Sequence, residues 1–564
     1  MFWRRKSNLT HRGIEPDEIF LDSKNLPGFD RELFEGRLEL PISPRATYLF
    51  YAAFLVIVAL FIFRLVDLQI AEGGELRARA DSNRLVRVRL PAERGLIYDR
   101  SGTELAWNDP GARQYSHLMG LAHVVGYVGY PDDFSDNENP KAKIGQAGIE
   151  RVYNDVLGGR DGSRLVEEDV DGIVISQGVE YIAKDGDDVV LTIDAPLQSV
   201  LFQKIKETVL ERGFRAGSVV LANPVTGEIL AATSFPEYSL SRLSGSSSQE
   251  VVDDYRSDAR KPFFFRAFEG LYAPGSTFKT VVALGALAEG IVADDHQIFS
   301  SGSIAIPNPY NPREESRFYD WKAHGWVDLR RALAVSSNIY FYAIGGGFEN
   351  TKGLGVAKIA EYAKKFGLGA SVGVELPEKE GLVPTSEWKA KNQPSDPVWR
   401  VGDTYNLSIG QGMIQVTPVQ MAQLVSFIAM DGVSAQFHII KETRSENSAV
   451  ARPSAVSYKT MNISKDAFFA VKEGMLAAVR GGTASALSGL GVSVAGKTGT
   501  AEVGFGKIVN SWFIGFLPYE NPQLALAVVL EGGDAKNLVG APFVAREIVS
   551  WLVENRPEYL SAFR

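Results

Sequence analysis

The sequence predicts an α/β protein with an N-terminal transmembrane helix, a β-rich segment and a larger C-terminal domain whose mostly antiparallel five-stranded sheet is packed by helices. Three observations support this prediction: an uncharged apolar run near the N-terminus, short alternating apolar runs after it, and two groups of strand-like segments on either side of a mainly helical stretch from about 270 to 480. The 564 residues exceed one ordinary core, so we expect two or more folded units.

The apolar run from Ala46 to Phe63 holds no charged residue over eighteen positions and has an arginine on each side. It is just long enough to cross a bilayer as a helix. Because 45 residues precede it, too many for the start of a cleaved signal peptide, we predict an uncleaved anchor at 46–65 after a short, partly disordered cytoplasmic tail at 1–45. A buried core helix is the alternative. Arginines are about equally dense on both sides, so charge leaves the orientation open.

The segment 66–186 changes to short alternating runs such as RLVRVRLP, with glycine and proline between them, which predicts β-rich, irregular structure. Within it, Ala92–Leu105 places the turn-forming letters DRSG between apolar residues and is typical of a hairpin. Asp132–Lys143 is polar and predicts a loop. We interpret the whole segment as a non-catalytic spacer or docking domain.

A second domain is predicted over 187–564. It begins with a short strand and an amphipathic helix that Asp194 caps. Two apolar runs joined by Pro224–Gly227 then predict a hairpin, and three more strands are predicted in VSVAGKTGTAEV, SWFIGFLP and LALAVVLEG. The five strands come from both ends of the domain, and a terminal helix is predicted over Phe543–Glu554.

Composition excludes several classes of function. The formal net charge of −9 and the lack of a basic stripe argue against a nucleic-acid-binding protein. The chain has no cysteine, which excludes disulfides, thiolate metal sites and cysteine nucleophiles. Its six histidines show no metal-ligand spacing, so we expect neither a metal nor a cofactor.

The stretch YAPGSTFKTVVALGALAEG contains the residues best suited to chemistry. Pro274 and Gly275 indicate a turn into a helix, and the apolar run Phe278–Ala288 indicates that this helix is buried nearly all round. If the helix begins near Ser276, Lys279 lies on the same face, so a hydroxyl stands beside a possible base.

One S-x-x-K match is weak support for catalysis, because short motifs recur by chance. The same spacing is present at Ser386 and Lys389, where the surrounding letters PTSEWKA predict a helix start with an exposed lysine. The first motif therefore needs partners elsewhere in the chain.

Two further motifs supply such partners. Ser336 and Asn338 form S-x-N at the edge of an apolar helical run, and Lys497 opens a K-T-G sequence inside a predicted strand. S-x-N also occurs by chance at 445–447, whereas K-T-G occurs once. The order S-x-x-K, S-x-N, K-T-G is a known signature of serine acyl transfer.

Each part of this set has a chemical task. Acyl transfer requires an activated serine, a base, a proton relay and donors for the oxyanion. We expect Ser276 to attack and Lys279 to take its proton, with the pKa of Lys279 lowered by burial and by the nearby Lys497 cation. Ser336 would relay the proton, and the backbone N–H groups of Ser276 and Thr500 would hold the oxyanion.

The remaining predicted residues hold the substrate. Asn338 is expected to bind a substrate amide, and Lys497 is expected to bind a terminal carboxylate together with the residues that follow it. Those substrate-binding residues are Thr498, Gly499 and Thr500.

A phosphate-binding loop is the rival interpretation of the third motif, because 491–498, GVSVAGKT, matches G-x-x-x-x-G-K-T letter for letter. A phosphate loop must run into a helix. Gly499, Val503, Gly504 and Gly506 follow instead, and these are poor helix formers in a strand-like run. We therefore favour a strand and disfavour ATP binding.

Taken together, the motifs resemble the class B penicillin-binding proteins, membrane-anchored D,D-transpeptidases that cross-link peptidoglycan. PGSTFK, SSN and KTGTAE match the three catalytic boxes of that family, and RGLIYDRSGTELAWN from Arg94 and IGQAGIERVYNDVLGGRDG from Ile144 match the two boxes of its pedestal domain. AHVVGYVG from Ala122, DWKAHG from Asp320 and the segment from Gly402 resemble the elongation-specific subfamily, penicillin-binding protein 2.

The resemblance implies a pedestal domain at 66–186 and a transpeptidase domain at 187–564, on the outer or periplasmic side of the cytoplasmic membrane. It implies stem peptides ending in D-Ala-D-Ala as substrates, covalent inhibition by β-lactams at Ser276, and a RodA-like SEDS glycosyltransferase and an MreC-like scaffold as partners. Some members of the subfamily resemble zinc proteins through a cysteine near the second box, and this chain has no cysteine.

Two alternatives to a transpeptidase stay open at this point. A β-lactamase would also have to hydrolyse its acyl-enzyme, but no E-x-x-L-N element is present to position a deacylating water. A β-lactam sensor or an idle scaffold is the non-enzyme alternative; the short tail could not supply a signalling domain.

Overall fold

The computed structural model describes residues 43–110, 112–129, 143–168, 174–244, 249–308, 311, 313–445, 448–451, 457–504, 507–537 and 539–561. Nearly all of the predicted tail and of the predicted loop over Asp132–Lys143 lies outside these residues. The chain divides into two units, one from Met1–Val86 and Val166–Ser176, the other from Arg87–Leu165 and Gln177–Arg564. The predicted domain boundaries stay predictions.

The smaller unit contains the apolar helix α1 (Pro44–Val66). Ser43 caps it, since its hydroxyl accepts a hydrogen bond from the Ala46 N–H at 3.2 Å, and Pro44 opens its first turn. A π-helical turn (Asp67–Ala71) and α2 (Gly73–Arg84) follow. By length and composition α1 can cross a membrane, and the protein buries none of its residues. The predicted anchor is therefore confirmed over the buried core helix.

The larger unit contains most of the other elements. Its remaining helices are α3 (Ala122–Val125), α4 (Gly148–Val152), α5 (Asn154–Leu157), α6 (Ala195–Arg212), α7 (Leu240–Ser244), α8 (Gln249–Ser257), α9 (Arg266–Glu269), α10 (Lys279–Ala288), α11 (Leu329–Val335), α12 (Asn338–Gly346), α13 (Gly355–Lys365), α14 (Ser386–Asn392), α15 (Val401–Ser408), α16 (Pro418–Ala429), α17 (Lys465–Gly481) and α18 (Ala541–Asn555). Short 3-10 turns lie at Gly275–Phe278, Ser485–Leu487 and Pro557–Leu560.

The strands begin at the end of α2. They are β1 (Leu85–Leu90), β2 (Ile97–Tyr98), β3 (Glu104–Asp109), β4 (Ala112–Tyr115), β5 (Val128–Gly129), β6 (Ile144–Gly145), β7 (Gly162–Glu168), β8 (Val174–Tyr181), β9 (Asp188–Leu191), β10 (Ala216–Ala222), β11 (Ile229–Phe235), β12 (Ile298–Ser300), β13 (Ser303–Pro307), β14 (Glu315–Tyr319), β15 (Gly325–Val327), β16 (Val433–Ala435), β17 (Ile440–Ser445), β18 (Ser448–Ala451), β19 (Tyr458–Thr460), β20 (Ala495–Val503), β21 (Ile508–Leu517) and β22 (Leu524–Asp534).

The five predicted strands of the second domain form one sheet in the order β11-β10-β22-β21-β20, and every neighbouring pair is antiparallel. Both faces are buried, so side chains alternate between two cores along each strand. Leu526 and Val528 pack with residues of α6 and α18, whereas Ala527 and Val529 pack in the core that contains α16. The predicted sheet and the terminal helix are confirmed. Strand β20, at one edge, carries K-T-G.

A six-stranded sheet in the order β18-β17-β9-β2-β3-β4 joins distant parts of the chain. Strands β2 and β3 form the predicted hairpin; the Asp99 carboxylate accepts hydrogen bonds from the N–H groups of Ser101 and Thr103 at 2.8 and 2.9 Å. Strand β2 also pairs in parallel with β9. This sheet therefore takes strands from both sides of the predicted boundary at 186.

A buried ion pair connects the two segments that resemble pedestal boxes. Glu150 is fully buried and binds Arg94 at 2.6 Å and Arg113 at 2.8 Å, while the Tyr115 hydroxyl lies 3.3 Å from it. Charge-assisted hydrogen bonds of this kind keep a buried carboxylate satisfied. The first and second boxes thus meet through these side chains and through a backbone hydrogen bond from the Gly95 N–H to the Leu157 carbonyl at 2.8 Å.

Candidate active site

The predicted nucleophile lies on a tight turn rather than in an α-helix. Gly275–Phe278 is a 3-10 turn, and the α-helix α10 begins at Lys279. The helix starts three residues later than predicted, but the turn still places Ser276 and Lys279 one turn apart. Most of α10, from Lys279 to Ala286, is buried, as its apolar sequence predicted.

Close packing against β20 determines this turn. Gly275 has a φ of +55°, and its N–H donates to the Gly410 carbonyl at 2.9 Å. A β-carbon at Gly275 would lie 2.6 Å from the Thr500 carbonyl oxygen, and one at Gly499 would lie 2.8 Å from the Pro274 carbonyl oxygen. Glycine is therefore required on both sides of the contact. The first and third motifs touch through their backbones.

We expect Gly275→Ala to lower the free energy of unfolding by about 2 to 5 kcal/mol, because it adds left-handed strain to a clash with backbone that cannot move aside. Gly290→Ala is the matched control: Gly290 has a φ of +63° but nothing lies within 4 Å of a β-carbon there. That variant should lose about 1 kcal/mol. Urea unfolding of both measures the difference, and equal losses would contradict the close contact.

The second motif joins the first through the Lys279 amine. Its Nζ donates to the Ser336 carbonyl at 2.8 Å and to Asn338 Oδ1 at 2.7 Å, and lies 3.3 Å from Ser336 Oγ. From the other side, Lys497 Nζ donates to Ser336 Oγ at 2.9 Å and to the Thr498 carbonyl at 3.0 Å. Both lysines are fully buried. One serine hydroxyl thus lies between two buried amines.

A sharp break between two helices positions Ser336 and Asn338. Helix α11 ends at Ser336, which adopts the left-handed conformation with φ +57° and ψ +40°, rare for a residue with a side chain. Ser337 then caps α12, whose first residue is Asn338. This backbone conformation turns both polar side chains toward Lys279. In a continuous helix, residues two positions apart do not lie on the same face, so the S-x-N spacing alone would not place both side chains there.

Burial controls the charge of the two lysines. It lowers the pKa of Lys279 to about 7, although the Asp320 carboxylate acts in the opposite direction. Burial, and secondly the charge of Lys279, lower the pKa of Lys497 well below its ordinary range. The sequence predicted that burial and the Lys497 cation would lower the pKa of Lys279; burial lowers it, and the repulsion between the two lysines, which is reciprocal, lowers the pKa of Lys497. A neutral amine is therefore available near neutral pH.

The K-T-G strand borders the same place. The Thr498 hydroxyl donates to the Thr483 hydroxyl at 2.8 Å, and the Thr500 carbonyl accepts from Gln411 Nε2 at 3.2 Å. The Thr500 side chain is exposed. Because 495–503 is a strand, the loop-to-helix geometry of a phosphate-binding loop is absent from these described residues. The strand interpretation is confirmed.

Ser276 itself is half-buried, and its hydroxyl makes no hydrogen bond within the described part of the chain. The structure therefore brings Lys279, Ser336, Asn338 and Lys497 into direct contact and leaves the predicted nucleophile free. Hydrogen bonds to catalytic groups are often completed only when substrate binds.

Asp320, a residue for which the sequence predicted no role, lies behind this cluster. The Asp320 side chain has no exposed surface, and its Oδ2 accepts hydrogen bonds from Ser337 Oγ at 2.7 Å and from the Asn338 N–H at 2.9 Å. It also raises the pKa of Lys279. The only signal was the segment DWKAHG, since no spacing rule relates an aspartate to a helix start eighteen residues later.

The second S-x-x-K shows what the motif does without such partners. Helix α14 starts there as predicted, with Thr385 as its cap. The prediction of an exposed lysine is wrong: Lys389 is 2% exposed and donates to Asp396 at 3.1 Å and Asp403 at 2.8 Å. Burial acts to lower the pKa of Lys389, but the two carboxylates outweigh it and raise it. This lysine stays charged and cannot act as a base.

Comparisons with known proteins agree with this geometry. The penicillin binding protein transpeptidase domain matches residues 217–550, and the penicillin-binding protein dimerisation domain matches residues 110–191. The peptidoglycan D,D-transpeptidase MrdA of Haemophilus influenzae is 32% identical over 478 residues, which cover 79% of this chain and 70% of that protein. Across three such relatives the chain spans 66% to 70% of their length.

Two solved structures extend the match to three dimensions. Penicillin-binding protein 2 of Pseudomonas aeruginosa aligns with a TM-score of 0.69 and 30% identity, over 84% of this chain and 99% of that one. A structure of a peptidoglycan synthase complex that coordinates polymerization and crosslinking aligns with a TM-score of 0.69 and 25% identity, over 92% of this chain and 98% of that one.

The fold and the site define a serine acyltransferase with an α/β catalytic domain. The chain belongs to the penicillin-binding proteins that pair a transpeptidase domain with a dimerisation domain, and within them it groups with penicillin-binding protein 2. Helix α1 anchors it in a membrane. The resemblance stated from the sequence is therefore confirmed at the level of the family and of the subfamily.

Proposed function

We propose that this chain is the peptidoglycan D,D-transpeptidase of cell elongation and that Ser276 carries its acyl-enzyme. The observation that supports this assignment is the position of the Ser336 hydroxyl, which lies 3.3 Å from Lys279 Nζ and 2.9 Å from Lys497 Nζ. Lys279 in turn lies one turn after Ser276, whose hydroxyl is free of hydrogen bonds within the described residues. A pKa of about 7 makes Lys279 a suitable proton acceptor near neutral pH.

In the first half-reaction, Ser276 Oγ attacks the carbonyl carbon between the two D-alanines of a stem peptide. A C–O bond forms, the serine proton passes to Lys279 Nζ, and the backbone N–H groups of Ser276 and Thr500 bind the oxyanion. The tetrahedral intermediate then collapses and the C–N bond breaks. Ser336 passes its proton to the leaving D-alanine nitrogen and receives the proton that Lys279 Nζ had taken from Ser276. This leaves an ester on Ser276 and a neutral Lys279.

In the second half-reaction, an amine of a neighbouring stem peptide attacks that ester. The new amide C–N bond forms as the ester C–O bond breaks, and the amine gives one proton to Lys279, which passes it to Ser276 Oγ and becomes neutral again. No cofactor takes part in either half-reaction. Attack by water instead of the amine gives D,D-carboxypeptidase activity as a side reaction.

The remaining site residues hold the donor peptide. Asn338 Nδ2 has two N–H groups and donates one to the Tyr319 carbonyl at 3.2 Å, so the second is available for a substrate amide. The terminal carboxylate binds Lys497 with Thr498, Gly499 and Thr500. Its negative charge raises the pKa of Lys497, so that lysine becomes charged when substrate is bound, while Lys279 stays neutral.

The surroundings of the enzyme follow from its substrate. We place the catalytic part outside the cytoplasmic membrane, on the periplasmic side in a two-membrane envelope, because peptidoglycan lies there. We keep the boundaries of the cytoplasmic tail, anchor, pedestal and transpeptidase domains at 1–45, 46–65, 66–186 and 187–564. The likeness to a synthase complex supports a RodA-like glycosyltransferase partner, and the likeness in fold to penicillin-binding protein 2 of Helicobacter pylori, solved in complex with MreC, supports an MreC-like scaffold.

Peptide mapping after acylation tests this proposal. Trypsin releases Ser276 in the peptide Ala267–Lys279, which has no other serine, and releases the look-alike Ser386 in a separate peptide, Glu380–Lys389. After incubation with benzylpenicillin, we expect one penicillin mass on the first peptide and none on the second. An unmodified first peptide, or rapid turnover of nitrocefin, would contradict the assignment.

A further inference from the structure

We propose that Asp320 is a positioning residue of this site: its carboxylate fixes the start of α12 and so holds Ser336 and Asn338 against Lys279. The inference rests on the proposed function of Ser276 and goes beyond it, because Asp320 touches no reacting atom.

The hydrogen bonds on one oxygen carry the argument. Asp320 Oδ2 accepts from Ser300 Oγ at 3.1 Å, from Ser337 Oγ at 2.7 Å, and from two backbone N–H groups at the start of α12, Asn338 at 2.9 Å and Ile339 at 3.2 Å. The other oxygen, Oδ1, accepts from the Trp321 N–H at 2.9 Å. Charged hydrogen bonds to a buried side chain are strong, and a carboxylate at a helix N-terminus also meets the positive end of the helix dipole.

These bonds act on the groups that touch Lys279. The backbone N–H of Asn338 is held by Asp320, and its side-chain Oδ1 accepts from Lys279 Nζ at 2.7 Å. Ser336 lies two residues before Asn338 and has a left-handed backbone conformation. Such a conformation persists only where its surroundings impose it. The anchored start of α12 imposes that conformation from one side and the end of α11 from the other. Asp320 therefore determines where the Ser336 hydroxyl lies.

The same carboxylate is the negative charge that acts on Lys279. It acts on Lys279, His324 and Tyr342, and the cations Lys322, Lys279 and Arg331 act on His324. His324 Nε2 lies 3.8 Å from Oδ1, and burial lowers the pKa of this histidine, so it is neutral at neutral pH and leaves the Asp320 charge uncompensated. Burial, and secondly Asp320, raise the pKa of Tyr342, which also stays neutral.

Positioning and charge predict two separable effects of Asp320→Asn. The amide oxygen can replace Oδ2, but it is a weaker acceptor for four donors, and the amide nitrogen would face the Trp321 N–H. Loss of the negative charge also removes the influence that raises the pKa of Lys279. The first effect lowers the rate of acylation at every pH, and the second moves its pH dependence.

The experiment measures the second-order rate constant of acylation by benzylpenicillin against pH, using the full-length protein in detergent. For Asp320→Asn we expect the maximal rate to fall roughly 10-fold or more, the scale on which supporting hydrogen bonds affect a site. We also expect the midpoint of the rise with pH to move to lower pH. Asp320→Glu keeps the charge but displaces it, so its maximal rate should fall while its midpoint stays.

Two control variants separate these effects from general ones. Asp295→Asn removes an exposed carboxylate outside the network and should match the wild type. Ser300→Ala removes one of the donors to Oδ2 without a change of charge, so its midpoint should stay. A wild-type maximal rate and midpoint in Asp320→Asn would overturn the proposal, as would a lower rate with an unmoved midpoint.

A folding defect, a failure of the proposed function and a failure of the Asp320 role give different results in this experiment. If Asp320→Asn does not fold, Asp320→Glu alone decides, and a full maximal rate in that variant overturns the positioning role. If adducts form without Ser276, the proposed function fails. If adducts form on Ser276 and the Asp320 variants behave as wild type, only the role of Asp320 fails.

Discussion

Ser276→Ala will abolish covalent labelling by a fluorescent penicillin and leave the stability of the protein unchanged. The serine Oγ is the atom that forms the acyl bond, so no slower route to the same adduct remains. The side chain is half-buried and makes no hydrogen bond in the described structure, so its removal should change the free energy of unfolding by no more than about 0.5 kcal/mol. Gel fluorescence and thermal unfolding measure the two quantities.

Ser386→Ala is the matched control for that variant. Ser386 is also half-buried and also stands three residues before a buried lysine, although it opens an α-helix whereas Ser276 lies on a 3-10 turn. We expect full labelling of Ser386→Ala. Labelling that persists in Ser276→Ala would remove the nucleophile from the proposal.

The same variant separates an enzyme from a scaffold. A strain depleted of the natural protein should not be rescued by Ser276→Ala if cross-linking is its essential task, because the variant folds but cannot form the acyl-enzyme. Normal growth and cell shape with Ser276→Ala would favour a scaffold whose partners need only its surface.

The parts of the fold that sequence predicted are those that local patterns specify. The alternation in LALAVVLEG determines which residues face each core of the sheet, and the turn letters after Asp99 close the first hairpin. The order of three motifs predicted the contact of Lys279, Ser336 and Lys497 because the chemistry requires all three together. Each of these predictions needs only neighbouring residues or a known set.

The parts that sequence missed depend on contacts between distant residues. Asp320 meets the start of α12 only after β15 and α11 have folded between them, and nothing in DWKAHG indicates four donors. Lys389 looked exposed because the two carboxylates that bury it follow seven and fourteen residues later, across a turn. The division of charge between Lys279 and Lys497 likewise depends on burial and on Asp320, which no motif contains.

Lys279→Met should reduce the rate of acylation by about 100- to 10,000-fold, the contribution of a general base. Methionine has a similar volume and no charge, so it fills the same buried space without accepting a proton. In the wild type the rate should rise with pH as Lys279 loses its proton, with a midpoint near the pKa of about 7. That rise should disappear in the variant. Stopped-flow acylation by benzylpenicillin across neutral pH measures both.

The pH dependence of the stability to unfolding provides an independent test of Lys279→Met. The pKa of Lys279 falls from 10.5 to about 7 on folding, so between those values the unfolded chain binds more protons and the wild type gains stability as pH rises. Lys279→Met loses this gain. Lys497 acts in the same direction, because without Lys279 beside it its own pKa is depressed less. Thermal unfolding at acid and alkaline pH should therefore show a smaller rise for the variant.

Lys389→Met is the control, since it removes the buried lysine of the other S-x-x-K. The pKa of Lys389 is raised on folding, so its stabilisation is present below the unfolded pKa and is lost only as pH rises through the higher folded one. Its removal should lower stability equally at pH 7 and 9 and leave acylation of the folded protein intact. If Lys279→Met kept a pH-dependent rate within about tenfold of the wild type, Lys497 would have to be the base, because it is the other buried amine on the Ser336 hydroxyl.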